Sequence, residues 1–444
     1  MHPYTNLRQH EATGPLVISR GDGIRVYDDR GKEYIEGLAG LWSVAVGFSE
    51  KRLADAAYKQ MLQLPYYHTF SSKSHEPSIR LAEKLAEMTP EGLTRAFFTS
   101  SGSEANDTIV KMIWFMNNAL GRPRKKKFLA RIKGYHGITV AAGSLTGLPV
   151  NHRDFDLPAI PVHHLTCPHF YRFGAEGEDE AAFTARLLAE LEAVIAAEGA
   201  DTIAAFIGEP LMSAGGVLPP PAGYWEGVER ICRANDILLI SDEVICGFGR
   251  LGTPFGCQKY GFTPDIMTLS KQITSSYMPL AAVVFSEAIY QAIADNTAKL
   301  GNFGHGFTAS GHPVATAVAL ENLAIIEEKD LIGNAAQLEA AFQAGIRGFA
   351  DHPLVGEARG TGLIGAVELV AEKAARQPFE PPGRVGAVAA RIGHEEGLIF
   401  RAIGDQLALC PPLIVTEQDV AEIMARMGRT LERLPAALAA EGLA

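Results

Sequence analysis

Short apolar runs alternate with helix-like patterns between about residues 95 and 300. Polar or turn residues bound each run, which is typical of buried strands. The runs are residues 95–99, 127–131, 202–207, 237–240 and 280–285. Because strands that alternate with helices usually pair side by side in one direction, the pattern predicts an α/β domain with a mostly parallel central sheet.

The two ends of the chain show a different pattern. The first 60 residues contain a predicted hairpin around residues 28–32, and the chain from about residue 330 combines amphipathic helices with a strand-like run at 363–369. We therefore predict a large domain over residues 61–328. Residues 1–60 and 329–444 are predicted to form a smaller α+β lobe.

Composition and charge exclude several kinds of partner. The 444 residues are 47% hydrophobic and carry a net charge of −11, which suits a globular protein and argues against nucleic acid as a partner. The basic run at residues 122–127 is interpreted as a solvated loop before a strand. The N-terminus lacks a signal-peptide pattern and no apolar run is long enough to cross a bilayer, so we expect no membrane partner and a cytoplasmic protein.

The cysteines indicate a reducing compartment. There are five, an odd number, and no Cys-x-x-Cys pair occurs. The segment 163–169 contains His163, His164, Cys167 and His169, but no further ligand recurs at metal spacing. We expect a polar surface loop there and no metal ion.

Two charged residues follow apolar runs at positions suited to a carbonyl cofactor. Asp242 follows the apolar run at 237–240, and Lys271 follows the apolar residues 266–269. A buried lysine can form a Schiff base with an aldehyde, and an aspartate can hold a pyridine nitrogen protonated. The pair points to pyridoxal phosphate. On these residues alone, a solvated strand end for Lys271 and a helix cap for Asp242 stay open.

Two further motifs suit the same cofactor. Ser101, Gly102 and Ser103 follow a predicted strand and open a predicted helix, where backbone N–H groups can bind a phosphate. Ser101 and Glu104 also satisfy a capping box, and that alternative stays open. Tyr135 lies between two glycines and suits a ring that stacks on a flat cofactor, although a packed turn is the more common outcome.

Taken in their order along the chain, these motifs and several others resemble those of the class III pyridoxal-phosphate aminotransferases of fold type I. The resemblance covers nearly the whole chain. The block at 242–250, Asp-Glu-Val-Ile-Cys-Gly-Phe-Gly-Arg, is the most specific part. The other matching segments are Ser101–Ala105, Gly134–Gly137, Glu209–Pro210, Ser270–Lys271 and Gly306–Thr308.

The resemblance implies a role for each matching residue. Lys271 would bond covalently to the cofactor and move a proton, and Asp242 would pair with the ring nitrogen. Tyr135 and Val244 would pack on opposite ring faces. The remaining cofactor-binding residues implied by the resemblance are Ser101, Gly102, Ser103, His136 and Glu209, with Phe307 and Thr308 reaching the phosphate of a neighbouring chain. A homodimer with shared active sites is therefore expected, and a tetramer stays open.

The substrate prediction depends on the segment before Pro411 and Pro412. Ornithine-type relatives have a carboxylate-binding arginine three residues before this pair, where this chain has Ala408. Arg401 instead resembles the mobile arginine of the ω-aminotransferases, in the β-alanine:pyruvate-like subgroup. The resemblance implies a ping-pong transfer from an amine or ω-amino acid to pyruvate, with β-alanine, taurine and arylalkylamines as donors not distinguished.

Three residues are predicted to contact the donor side chain. Leu41 and Trp42 resemble the subgroup's pocket wall, and Tyr67 is added to them. Simple packing is the alternative for Trp42. The chain also departs from the family pattern at Gln272 and Ser276, where glycine is usual, and we expect altered loop geometry there.

Two other functions remain open on sequence alone. One is a different reaction on the same cofactor, carried out by an aminomutase, a racemase or a decarboxylase, because fold and cofactor do not fix the outcome. The other is a non-catalytic relative that keeps the fold as a binding module. The presence of Lys271, Asp242 and the phosphate-cup residues argues against the second.

Overall fold

Helices and strands alternate along a computed structural model that describes residues 1–443. Two single 3₁₀ turns lie at Pro149–Asn151 and Lys271–Ile273. The α-helices are α1 Leu7–Thr13, α2 Ala39–Trp42, α3 Lys51–Gln63, α4 Glu76–Met88, α5 Gly102–Ala119, α6 Val140–Leu145, α7 Phe170–Phe173, α8 Glu180–Glu198, α9 Tyr224–Ala234, α10 Gly256–Lys259, α11 Glu287–Leu300, α12 Pro313–Glu328, α13 Leu331–Arg347, α14 Arg384–Glu395 and α15 Glu417–Ala440.

The strands form three sheets. They are β1 Ile18–Asp22, β2 Arg25–Asp28, β3 Glu33–Glu36, β4 Leu93–Thr99, β5 Lys127–Arg131, β6 Val162–Leu165, β7 Ile203–Gly208, β8 Leu238–Asp242, β9 Ile266–Leu269, β10 Ala281–Ser286, β11 Val355–Thr361, β12 Ile364–Leu369, β13 Leu398–Ile399, β14 Arg401–Ile403 and β15 Gln406–Leu409. The five predicted apolar runs correspond to β4, β5, β7, β8 and β10.

The central sheet has seven strands in the order β4-β10-β9-β8-β7-β5-β6. All pairings are parallel except those of β10, which runs opposite to both of its neighbours. Every residue of β7 is buried, as expected for a parallel strand covered by helices on both faces. The predicted α/β architecture with a mostly parallel sheet is confirmed.

Strand direction places the candidate residues at one edge of the central sheet. Because β10 is antiparallel to both β4 and β9, these two strands point the same way as β8 and β7. The carboxyl ends of all four strands therefore meet at one edge, and ligands of α/β sheets bind at this edge. Asp242 ends β8, and Ser101, Glu209 and Lys271 follow β4, β7 and β9 within two residues.

The two smaller sheets are built from the chain ends. One has the order β1-β2-β3-β13, so the parallel pair of β13 with β3 joins the N-terminal and C-terminal regions. The predicted hairpin connects β2 to β3. The other has the order β11-β12-β15-β14 and is antiparallel throughout.

Two surface predictions need correction. Cys167 and His169 are buried, so the segment 163–169 is not a surface loop throughout. His169 forms a hydrogen bond of 2.7 Å with Glu357 of β11. In the basic run, Lys125 is also buried and pairs with Asp236 at 3.1 Å, because the loop folds back onto the acidic turn before β8. Within residues 1–443, no helix combines the length and apolarity needed to cross a bilayer.

Candidate active site

A cavity of about 260 Å³ opens at the carboxyl edge of the central sheet. It collects residues from the ends of four strands and from the first turn of α5. The lining residues are Ser100, Ser101, Gly102, Ser103, Tyr135, His136, Gly137, Glu209, Asp242, Val244, Ile245, Ser270, Lys271, Thr274, Ser276, Met278, Pro279 and Leu280. The first-turn serines, Tyr135, Asp242 and Lys271, predicted from separate motifs, therefore lie around one space.

Lys271 begins the 3₁₀ turn after β9 and has a left-handed backbone with φ of 48°. Such a conformation is uncommon for a non-glycine residue and often marks a functional site. Burial lowers the pKa of Lys271 to about 8, although the negative charges of Asp242 and Glu209 partly oppose the shift. A lower pKa increases the fraction of neutral amine at physiological pH, and only the neutral amine is a nucleophile.

Asp242 also lines the cavity and is held by three hydrogen-bond donors. Its Oδ2 lies 2.8 Å from His136 Nδ1 and accepts from Asn106 Nδ2 at 3.1 Å, while Oδ1 accepts from the Val244 N–H at 3.2 Å. The side chain is only 3% exposed. A carboxylate bonded in this way has a fixed orientation and can interact with a positively charged ring nitrogen.

Glu209 lines the cavity and connects two of its loops. Its carboxyl oxygens accept from the N–H groups of Tyr135 and Ser213, both at 3.0 Å. Burial raises the pKa of Glu209, as does the charge of Asp242, and these two N–H groups partly offset the increase. Glu209 therefore fixes the backbone beneath Tyr135.

The first turn of α5 combines a capping role with an anion site. Ser101 Oγ accepts from the Glu104 N–H at 3.2 Å, and Glu104 in turn accepts from the Ser100 N–H at 2.7 Å. The N–H groups of Gly102 and Ser103 have no acceptor within residues 1–443. Unpaired donors at a helix N-terminus, aided by the helix dipole, are the usual binding site of a phosphate. The capping motif and the predicted phosphate cup are thus compatible.

Arg401 begins β14 and is half-buried. Its electrostatic neighbours are the phenols of Tyr4 and Tyr135, and burial lowers the pKa of its guanidinium. Its positive charge also lowers the pKa of Lys271, which places the two cations around the same space. Among residues 1–443 no carboxylate forms an ion pair with Arg401, so its guanidinium can bind the carboxylate of an incoming molecule.

Six of the predicted site residues do not line this cavity, and Arg401 is one of them. Leu41, Tyr67 and Thr308 are exposed, and Phe307 is half-buried. Trp42 is 1% exposed and packs in an apolar cluster with Leu38, Leu211 and Ile245; Ile245 also lines the cavity. The roles of these residues in substrate and partner binding stay predictions.

The two departures from the family pattern have different local consequences. Gln272 is buried, donates to the carbonyls of Ile245 and Gly247 at 3.0 and 2.7 Å, and accepts from Arg250 at 3.3 Å. It therefore ties the Lys271 turn to the chain after Asp242. Ser276 has φ of 58°, a left-handed conformation that glycine adopts without steric cost.

Asn106 is a site residue that sequence reasoning missed. Besides Asp242, its Nδ2 bonds the carbonyl oxygen of His136 at 2.6 Å, and its Oδ1 accepts from Thr268 Oγ1 at 2.7 Å. One sequence signal could have identified Asn106: it lies four residues after Gly102, so Asn106 and Gly102 share one face of α5. A polar residue on a helix face that is otherwise buried needs a partner.

Comparison with known proteins agrees with this geometry. The family model described as aminotransferase class-III matches residues 7–431. A curated relative, gamma aminobutyrate transaminase 3, chloroplastic, of Solanum lycopersicum, is 48% identical over 419 residues, which cover 94% of this chain and 81% of the relative.

Three solved structures are similar over nearly the whole chain. The omega transaminase from Pseudomonas jessenii in complex with PMP is 58% identical, with a TM-score of 0.97, covering 98% of this chain and 96% of that chain. A thermostable omega transaminase variant engineered for asymmetric synthesis of enantiopure bulky amines is 57% identical, with a TM-score of 0.97 and coverage of 98% and 97%. A transaminase with L-ala is 57% identical, with a TM-score of 0.94 and coverage of 95% and 100%.

Proposed function

We propose that this protein moves amino groups from amines or ω-amino acids to pyruvate. The proposal starts from its family: the chain belongs to the class III aminotransferases and is a pyridoxal-phosphate-dependent transaminase. The donors are of the β-alanine, taurine or arylalkylamine type. Each donor leaves as a carbonyl compound before pyruvate enters, so the kinetics are ping-pong. The observation that carries the substrate proposal is Arg401, a cation beside the cavity that faces two phenols.

The cavity residues fit the cofactor at both of its ends. The unpaired N–H groups of Gly102 and Ser103 suit its phosphate, together with the hydroxyl of Ser101. Asp242, fixed by His136 and Asn106, suits the protonated ring nitrogen. When bound, pyridoxal phosphate supplies an aldehyde that condenses with amines and a ring that accepts the electron pair released at the substrate carbon.

Lys271 is proposed to act as the proton carrier of the reaction. Its Nζ is a neutral amine for part of the population at neutral pH, because burial lowers its pKa to about 8. A neutral amine can take a proton from the substrate carbon and return it at another position. Tyr135 and Val244, which both line the cavity, are proposed to hold the ring from its two faces.

The acceptor proposal combines the geometry with the similar structures. Pyruvate becomes alanine on accepting an amino group, and one solved relative is a transaminase with L-ala. The guanidinium of Arg401 can grip the carboxylate of pyruvate with two hydrogen bonds. An uncharged amine lacks that carboxylate, and Arg401 on short strand β14 is proposed to swing aside for it.

The donor wall is supported by the engineered relative. That variant carries substitutions at a tryptophan, a phenylalanine and an arginine, and it was engineered for the synthesis of bulky amines. Trp42, Phe70 and Arg401 have the same spacing along this chain. We therefore propose that Trp42 limits donor size, in line with its predicted place in the pocket wall. We also add Phe70 to Leu41 and Tyr67 as a residue that contacts the donor.

A homodimer is part of this proposal. The exposed aromatic segment 66–70 packs on the segment 305–308: Tyr66 Oη donates to the Thr308 carbonyl at 2.9 Å, and the Phe70 ring covers Gly306. Tyr67 and Thr308 thus share one exposed surface outside the cavity of their own chain. In a dimer, this surface is proposed to complete the cavity of the partner.

Replacing Arg401 by leucine tests the substrate proposal. We expect kcat/KM for pyruvate to fall by about 30- to 100-fold, the usual loss for a two-point bond to a carboxylate. The half-reaction with an uncharged arylalkylamine should change by less than about threefold, because that donor makes no ion pair. Stopped-flow absorbance of the cofactor measures each half-reaction separately.

Arg384→Leu is the matched control, since Arg384 is exposed at the start of α14 in the same part of the chain. It should leave both half-reactions unchanged. Equal losses for pyruvate and the amine in Arg401→Leu would contradict a carboxylate-binding role. A preference of the parent enzyme for 2-oxoglutarate over pyruvate would contradict the acceptor itself.

A further inference from the structure

Glu36 is a buried carboxyl group that the proposed reaction does not use. It ends β3, and its Oε1 accepts from the backbone N–H of Leu38 at 2.9 Å. Its backbone neighbours are apolar residues: its own N–H donates to the carbonyl of Ile24, in the turn before β2, at 2.9 Å, and it lies opposite Ile399 in β13. Buried carboxyl groups are rare unless they are paired or serve a purpose.

The chain that follows Glu36 is strained. Ala39, Gly40 and Trp42 have φ of 51°, 67° and 63°, so residues 38–42, which include α2, form an irregular loop in which three residues are left-handed. Two of these three are non-glycine residues, for which this conformation costs free energy. Such backbone persists only when the surroundings determine it from several sides.

Fixed contacts hold the loop at its two ends. Before it, the Gly37 N–H donates to the Ile399 carbonyl at 2.9 Å, and the Gly37 carbonyl accepts from the Cys410 N–H at 2.6 Å. After it, the Ala45 N–H donates to Ser275 Oγ at 3.1 Å, four residues beyond Lys271. Between these ends, two side chains bond the loop backbone: the Glu36 carboxyl accepts from the Leu38 N–H, and Ser43 Oγ donates to the Ala39 carbonyl at 3.4 Å. Glu36 is the one of these two that can change its charge.

We propose that Glu36 is a positioning residue of the donor pocket: its ionised carboxyl group holds the loop 38–42, and thereby Leu41 and Trp42, in the arrangement that accepts bulky donors. An ionised carboxyl accepts hydrogen bonds at both oxygens, whereas a protonated one loses an acceptor site. Bonds to an ionised acceptor are also stronger. Protonation of Glu36 therefore loosens the strained loop.

The surroundings of Glu36 favour its neutral form. Burial raises its pKa to about 7, and the N–H groups of Leu38 and Gly40 partly oppose that increase. The titratable side chain of Cys410, which follows β15, faces Glu36. Cys410 also faces Arg250 and Lys271. Burial raises the pKa of the Cys410 thiol to about 11, so this thiol stays neutral over the same pH range.

The inference rests on the proposed function, because it assumes that Leu41 and Trp42 contact the donor. An arylalkylamine needs the apolar wall that the ordered loop supplies, whereas β-alanine is too small to reach it. The ratio of kcat/KM for these two donors should therefore report the state of the loop. The ratio also cancels the ionisation of Lys271, which both donors share.

The experiment measures this ratio from about pH 5.5 to about pH 8.5 for the parent enzyme and for Glu36→Gln. In the parent, the arylalkylamine to β-alanine ratio should rise about fivefold with a midpoint near 7. In Glu36→Gln, whose neutral amide offers one acceptor oxygen, the ratio should stay at the low-pH value throughout.

Asp28→Asn is the matched control. Asp28 lies in the same hairpin and accepts from the N–H groups of Arg30 and Lys32 at 2.9 and 2.8 Å. The hydrogen bonds of Asp28 outweigh its burial and lower the pKa of its carboxyl, so it does not titrate near neutrality. This variant should keep the parent's pH dependence, even though it also replaces a carboxylate that holds a turn.

Thermal unfolding supplies a readout that does not depend on activity. Because the pKa of Glu36 is raised on folding, the folded protein binds this proton more tightly than the unfolded chain does. The resulting stabilisation is complete when the pH is below the ordinary pKa of a carboxyl group, and it is lost as the pH rises through about 7. The Tm of Glu36→Gln minus the Tm of the parent should therefore be more positive at about pH 8 than at about pH 5.

A parent ratio that is flat from about pH 5.5 to 8.5 would overturn the inference, whether or not any variant folds. A Tm difference that does not change with pH would overturn it as well. If the parent used neither donor, the proposed donor class would be wrong. The Tm comparison would still decide whether folding raises the pKa of Glu36.

Discussion

Replacing Lys271 by alanine is expected to lower kcat by about 10⁴-fold or more, the largest single effect in this enzyme. Within the described chain, Lys271 is the one lysine among the residues that line the cavity. Its Nζ is proposed both to bond to the cofactor and to carry the proton, so no remaining side chain can substitute for it. The cofactor should still bind, because the first turn of α5 and Asp242 are unchanged.

Borohydride reduction followed by peptide mass mapping measures the covalent attachment directly. The parent should carry the reduced cofactor on Lys271, and Lys271→Ala should carry none on any peptide. Lys259→Ala is the control, since Lys259 pairs with Glu339 at 2.8 Å away from the cavity. Turnover of Lys271→Ala at a rate near that of the parent would contradict the proposed mechanism.

Asp242→Asn is expected to have the second-largest effect, a fall in kcat of about 10² to 10³-fold. The amide has nearly the same shape as the carboxylate, but it carries no negative charge to stabilise a protonated ring nitrogen. The ring then accepts electrons poorly at the step where the substrate carbon loses its proton. Steady-state rates with a saturating donor give the size of the loss.

Glu243→Gln is the matched control for Asp242→Asn. Glu243 is the next residue and is also buried, but its oxygens accept from the N–H groups of Gly256 and Cys257, both at 2.8 Å. Glu243→Gln turns one of these acceptor oxygens into an NH2 donor, so it disturbs a buried hydrogen-bond network as Asp242→Asn does, but at a residue that does not line the cavity. A similar loss of kcat in both variants would show that disturbed packing, rather than the charge of Asp242, sets the rate.

The strand ends explain why Asp242 and Lys271 could be predicted together. Each follows an apolar run, and parallel strands bring their carboxyl ends to one edge of a sheet. Asn106 gave no comparable signal, because its partners Asp242 and Thr268 are 136 and 162 residues away along the chain. The burial of Cys167 and His169 was missed for the same reason, since Glu357 lies on a distant strand.

Glu36 shows a second limit of sequence reasoning. A glutamate at the end of a strand is usually solvated. Its burial depends on β13, which pairs with β3 across most of the chain. The division into residues 1–60, 61–328 and 329–444 stays a prediction, as do the contacts of Phe307 and Thr308 with a partner chain.

The visible spectrum of the purified protein with pyridoxal phosphate tests the central claim most directly. It is recorded before and after an (S)-arylalkylamine or β-alanine, and again after pyruvate. If both half-reactions occur, the cofactor's visible band bleaches with the donor and returns with pyruvate while alanine appears in equal amount. A band that forms but is bleached by neither donor, or that returns only with a different keto acid, would contradict the account.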